Sequence, residues 1–245
     1  MTKATAFLRD PQSTRWIALL VLVYFAAEWV VSASWRGNYT YRDVTVGPLG
    51  VPFCGPQGTW PCSATSPVMT IALVVTGIAI VLVATSWLLQ HRLSIPHGSM
   101  LAISGLALAV TGIVSVKTDY PVHSAALHVF VVFGALGSVL VAVSSTTGLG
   151  AVPRLVLGVG GITATIGYFC YAPGLTDWMG AGGAERLMIY PVLIAILVAG
   201  VMPPPGTAES GRSDGRHRWA DPEVTPMPHR AADDRAATPV PADGV

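Results

Sequence analysis

Apolar residues come along this chain in six long blocks separated by short polar breaks: Trp16–Trp35, Val68–Leu89, Gly98–Val116, Ser124–Val143, Leu155–Tyr171 and Ala184–Met202. A helix that crosses a bilayer needs roughly 20 consecutive apolar residues, within a range of about 17 to 25. All six blocks meet or approach that length. Their apolar residues occur all round the helical wheel rather than on one stripe, as lipid-facing helices require. The pattern therefore predicts an all-α fold, an integral membrane bundle of six transmembrane helices.

The breaks divide the rest of the chain. Residues 1–15 form a short N-terminal segment, residues 36–67 the one long loop, and residues 203–245 a tail of different character. Pro203-Pro204-Pro205 stops the last helix, because proline has no amide donor and clashes with the preceding turn. The tail after it holds almost no large apolar residues and is expected to be disordered. Charge supports the same division. Of 27 charged side chains in 245 residues, twelve follow Met202. The first 202 residues carry too few to clothe a soluble domain, which devotes roughly a quarter of its residues to charge. A net charge of +1 and the lack of a basic stripe argue against a nucleic-acid partner. The first block is not followed by a small-x-small cleavage site, so it is expected to remain as a signal anchor. Eight Lys and Arg, from Lys3 to Arg218, flank one set of helix ends, against Arg36, Arg42, Lys117 and Arg186 on the other. That bias predicts a cell-membrane protein with both termini in the cytoplasm and the 36–67 loop outside.

Once the spans are placed, the remaining polar residues gather at the loop end of the bundle. Glu28 lies twelve residues into the first block, roughly 18 Å along it at 1.5 Å per residue. Ionisable groups at such depth are costly unless paired or hydrated, and are candidates for function. Glu28 suits binding a cation, relaying a proton, or pairing with a neighbouring helix. Asp119, His123 and His128 sit where the fourth block begins. Asp119 and His123 are four apart, which would place them on one helical face, but Pro121 between them argues against a continuous helix there. A carboxylate beside a histidine suits acid–base work, while a purely structural start to a helix explains the same residues. Glu185 and Arg186 open the sixth block. A glutamate in a first turn is favoured by the helix dipole, and the planar fork of arginine suits phosphate or carboxylate. Arg186 equally suits an interfacial anchor or a partner for Glu28 or Asp177. Cys54 and Cys62, eight apart in the long loop on the oxidising side, are expected to form a disulfide. Neither metal-ligand spacing nor a phosphate, dinucleotide or nucleophile motif is found, so no cofactor, metal or catalytic residue is assigned.

The arrangement resembles the bacterial membrane-protein family catalogued as domain of unknown function 998. The residues that carry the resemblance are Tyr39-Thr-Tyr41-Arg42-Asp43-Val-Thr-Val-Gly47-Pro-Leu-Gly50 after the first block and Cys54…Cys62-Ser63 before the second. Pro121-Val-His123 with Gly134 follows, and then Gly183-Ala-Glu185-Arg186-Leu-Met-Ile-Tyr190-Pro191. Together they cover roughly Trp16 to Met202. Where the family commonly has Ser-Asp-Leu-Gly, this chain has Val46-Gly47-Pro48-Leu49-Gly50, so the acidic residue of that motif is absent or displaced to Asp43. The resemblance implies a six-helix bundle with an outward polar site and implies no settled activity. The favoured functional reading is a non-enzymatic protein that binds a lipid headgroup or an envelope partner. Glu28, Asp119, His123, His128, Glu185 and Arg186 are its candidate ligand-binding residues, and its partners are membrane lipids and a possible membrane protein. A small proton-coupled transporter using Glu28 and His128, or a lipid-modifying enzyme with a histidine base, are the alternatives.

Overall fold

Each apolar block folds as a helix that begins earlier than its run of large apolar residues, the first four at a proline in the first turn. The computed structural model describes residues 3–52, 54 and 62–203. The tail that the sequence marks as disordered lies outside these residues, as does most of the loop between the two cysteines. A short helix α1 (Lys3–Arg9) precedes α2 (Pro11–Leu19) and α3 (Leu22–Ala33), which together form the first span. The other spans are α4 (Ser66–Leu89), α5 (Ile95–Ile113), α6 (Tyr120–Val143), α7 (Ala151–Tyr171) and α8 (Gly180–Val201). All six are long and apolar enough to cross a membrane. No strand is found among the described residues; an isolated bridge joins Trp35 to Ser63. The chain is a multi-pass, all-helical membrane protein.

Prolines set the early starts. Pro11, Pro67, Pro96 and Pro121 occupy the first turns of α2, α4, α5 and α6. There the missing amide costs nothing, because first-turn amides have no helical partner, and the fixed φ is already helical. Pro121 thus begins a helix rather than interrupting one, with Asp119 as N-cap accepting from the Val122 amide at 3.1 Å. Asp10 caps α2 in the same way, through Gln12 and Ser13. The first span is continuous in direction but tightens at its middle. The amides of Leu20, Val21, Val23 and Tyr24 bond three residues back, a short stretch of 3₁₀ geometry.

Successive spans α4 to α8 pack each against the next, and α2 closes the bundle between α8 and α4. Lipid offers no hydrophobic drive between helices, so close backbone approach has to supply the contact energy. Small residues provide it. A Cβ on Gly105 would stand 2.6 Å from the Gly77 carbonyl, and one on Gly160 would stand 2.6 Å from Ala195 Cβ. Gly200 meets Ala18 at the α8–α2 contact in the same way. Pro191 inside α8 has no amide to give the Leu187 carbonyl four residues earlier. Gly167 of α7 lies against that point, its Cβ position 2.8 Å from the Leu187 oxygen. Large apolar side chains such as Trp16, Leu106 and Phe169 remain exposed on the bundle's outside, where lipid is their neighbour. Gly167→Val, which would force a branched side chain to within 2.5 Å of the Met188 nitrogen, is expected to destabilise the α7–α8 pair by about 2 kcal/mol or more. Thermal unfolding in detergent micelles measures it.

Candidate functional site

The polar residues at the loop end do converge, and they converge on one another. Arg186 lies in the second turn of α8, where its side chain is only 7% exposed. Its Nε donates to Glu28 Oε1 at 2.7 Å, and Glu28 is 2% exposed. Tyr190, one helical turn further along α8, donates its hydroxyl to the other oxygen, Glu28 Oε2, at 2.7 Å. The remaining guanidinium hydrogens turn to the chain between α3 and α4. Nη1 faces the carbonyls of Tyr41 and Val44, each at 2.8 Å, and that of Gly182 at 3.0 Å. Nη2 donates to the Tyr39 hydroxyl. The guanidinium also stands over the Tyr41 ring, 4.8 Å from its centroid, a cation–π arrangement. All three nitrogens are therefore engaged within the protein.

Two charges taken out of water are stabilised only when good geometry and further hydrogen bonds offset their desolvation. The pair here has both, with five groups besides the partner charge around it. Burial pushes the Tyr39 phenol up to about 12, against the opposing pull of Arg186, so it is an uncharged acceptor at any physiological pH. Trp35, Tyr39 and Tyr41 pack edge to face along the loop, with centroids 5.6 and 5.1 Å apart. The Tyr41 hydroxyl reaches Ser32 of α3 at 2.8 Å.

The loop settles onto the start of α8 because glycines leave room for it. Gly180 has φ +75°, a left-handed conformation that favours glycine. A Cβ on Gly182 would stand 2.8 Å from the Tyr41 carbonyl. The Gly183 amide donates to the Arg42 carbonyl at 2.9 Å, and Arg42 in turn reaches the Asp177 carbonyl at 3.1 Å. Glu185 completes the clasp by accepting from the Val46 amide. Because α8 begins at Gly180, Glu185 sits in its second turn and not its first. Its carboxylate answers a loop amide instead of the helix terminus. At the loop's far end Cys54 and Cys62 are joined by a disulfide, with Cα atoms 5.1 Å apart. The neighbouring Ser63 hydroxyl donates to the Val31 carbonyl at 3.0 Å and ties the loop back to α3.

The histidines are placed differently from one another. His123 is buried, and its Nδ1 donates to the Val114 carbonyl at 2.7 Å. That contact assigns the proton to Nδ1 and leaves Nε2 toward Gly47. His123, Glu185, Thr111 and Gly47 share the wall of an internal cavity of about 20 Å³, room for roughly one water molecule. His128 is half-buried, bonded to its own helix at the Ser124 carbonyl and set edge-on to Tyr168. Asp119 is exposed, and the contact described for its carboxylate is the cap. The structure thus brings Glu28 to Arg186 and His123 to Glu185, and leaves Asp119 and His128 apart from both. Tyr39, Tyr41 and Tyr190 belong to the cluster but were not singled out from sequence as site residues. Tyr190 lies one helical turn beyond Arg186, a spacing that puts both on one face of α8, whereas no period links Tyr39 or Tyr41 to Arg186. Among the described residues no group of three or more His, Cys, Asp or Glu is placed to hold a metal. No family model, curated protein or solved structure matches this chain.

Arg186→Ala would strand a buried carboxylate and three carbonyls, and is expected to lower stability by about 3–5 kcal/mol. Arg186→Lys keeps the charge but loses the fork that reaches the loop. It should cost less, yet raise the rate of trypsin cleavage after the exposed Arg42. Thermal unfolding and timed proteolysis together separate the two effects.

Proposed function

We propose that this is a non-enzymatic, multi-pass cell-membrane protein that uses its disulfide-bearing face to bind an envelope partner outside the cytoplasm. One observation carries the reading. Arg186 commits its donors to Glu28, to the Tyr39 hydroxyl and to the Tyr41 and Val44 carbonyls, so the buried cluster acts as a clasp and the loop above it becomes a fixed platform. A preorganised surface binds with less ordering cost than a mobile loop. The platform's accessible side chains are Tyr41, Arg42 and Asp43, beside the exposed Leu175 and Trp178. Aromatic and arginine side chains of this kind are the usual anchors of interfaces. The bias of Lys and Arg toward the other helix ends supports an outward-facing loop, as does the disulfide. Two of the segments that carry the resemblance to the domain of unknown function 998 family, Tyr39–Gly50 and Gly183–Pro191, meet in this clasp. A lipid headgroup is the other ligand this surface would suit.

Extraction into native nanodiscs followed by mass spectrometry tests the proposal. A stoichiometric protein partner is expected, lost or reduced roughly tenfold in an Arg42→Ala/Trp178→Ala variant that unfolds at the wild-type temperature. A single enriched lipid lost in the same variant would move the ligand from protein to headgroup. Association unaffected by that variant and by Arg186→Lys would sink the platform.

A second reading, proton-coupled transport, draws support from Glu185 and His123 sharing one buried cavity, rather than from Glu28 and His128. It requires a pH-driven flux in proteoliposomes that disappears in Glu185→Gln.

A further inference from the structure

The end of the bundle opposite the disulfide carries a second polar site. Among the described residues this end holds Lys3, Arg9, Arg15, Arg92 and Arg154 against a single acid, Asp10. Asp10 is occupied in capping α2 through Gln12 and Ser13. Arg154 is likewise engaged, donating twice to the Ala142 carbonyl at 3.0 and 2.8 Å. Arg15 and Arg92 are not so placed. No carboxylate pairs with either among the described residues, and the Arg15 Nε is buried without a hydrogen-bond partner. Burial, and then the like charge of Arg15, lowers the proton affinity of Arg92. Two guanidinium groups are held near one another with nothing described between them to offset the repulsion.

A cavity of about 380 Å³ opens at this cluster, lined by Arg9, Pro11, Leu89, Gln90, His91 and Arg92. Its wall is built at a conformational cost. His91 is the one non-glycine residue with positive φ among the described residues, at +55°. It ends α4 in the turn in which the Arg92 amide reaches back to the Trp87 carbonyl at 2.8 Å, a position that glycine ordinarily takes. Placing histidine there sets an imidazole and a guanidinium side by side on the cavity. Gln90 is pinned by its Nε2 to Leu8 and Thr14, leaving Oε1 buried and unpartnered. Backbone strain on the wall of a cavity lined by two arginines and a histidine is where a ligand repays what the fold forgoes.

We propose that this cavity binds a phosphate group, held by Arg92 and His91 on its wall, with the charge of Arg15 beside them. Arginine's planar fork matches phosphate oxygens, and the site lies at the membrane–water boundary, where phosphodiester headgroups are concentrated. The phosphate could belong to an anionic lipid or be free in solution, and the experiment separates these sources. The proposal is independent of the partner surface on the other face and of which face is cytoplasmic.

The test uses the full-length protein in detergent, titrated with dioctanoyl phosphatidylglycerol, dioctanoyl phosphatidylcholine and inorganic phosphate, and read by native mass spectrometry and calorimetry. Saturable binding of phosphatidylglycerol in preference to phosphatidylcholine, weakened by salt, is expected for a lipid source. Saturable binding of inorganic phosphate of equal or greater strength would assign the site to free phosphate. In either case Arg15→Gln/Arg92→Gln should weaken binding roughly tenfold or more, while Arg36→Gln, at an exposed arginine on the opposite face, should not. His91→Gly guards against misfolding as the cause. It should retain or raise the unfolding temperature, since glycine accepts that φ freely, yet weaken binding several-fold. Binding that is absent, or equal for all three probes, or unchanged in both His91→Gly and the arginine pair, overturns the site.

Discussion

A guanidinium buried at the end of a membrane bundle has to be surrounded, and satisfying Arg186 organises one whole face of this protein. The ion pair with Glu28 ties α8 to α3, the first span to the last. One carboxylate cannot satisfy five N–H donors. The surplus is met by backbone carbonyls and a phenol of the loop, so the loop is drawn down onto the helices. The loop's own polar groups benefit in return, because carbonyls near the membrane boundary need donors as much as the arginine needs acceptors. Removing either side leaves the other unsatisfied. The cluster therefore behaves as one unit.

The rest of the bundle is arranged so that this unit can form. Glycines 180 and 182 let backbone meet backbone where a side chain would hold the loop off. Deeper in the bundle, small residues on α4, α5, α7 and α8 bring neighbouring spans close. Beside the clasp, Glu185 answers the Val46 amide and adjoins the His123 cavity. Two buried carboxylates on one face thus have distinct tasks: Glu28 meets a charge, Glu185 a loop amide.

The two ends of the bundle treat their charges in opposite ways. At the disulfide end, the buried acid and base are matched and enclosed, and what remains for a partner is the surface of the loop. At the other end, Arg9 and Arg92 line a cavity, and the one acid there among the described residues, Asp10, is already engaged as a cap. The first arrangement is what holding a platform demands. The second is what an anion requires.

The number of spans, their approximate places and the disulfide were legible in the chain itself. Bilayer thickness turns length and apolarity into a local signal, and two cysteines in one loop have few alternatives. Helix starts were read late because apolar runs mark the buried stretch, while Asp10, Asp119 and the first-turn prolines mark where the backbone turns helical. The convergence of polar residues at one end was also visible, since it follows from where each span begins. Which of them touch was not. Glu28 and Arg186 are 158 residues apart, and no periodicity relates them. The tyrosines around the pair, the Val46–Glu185 contact and the His123 cavity exist only once six helices and a folded loop occupy the same few ångströms. Sequence alone determined that these charges would lie near the membrane and need partners. Tertiary structure decided that they would find one another, because packing the first span against the last brings Glu28 of α3 within reach of Arg186 of α8.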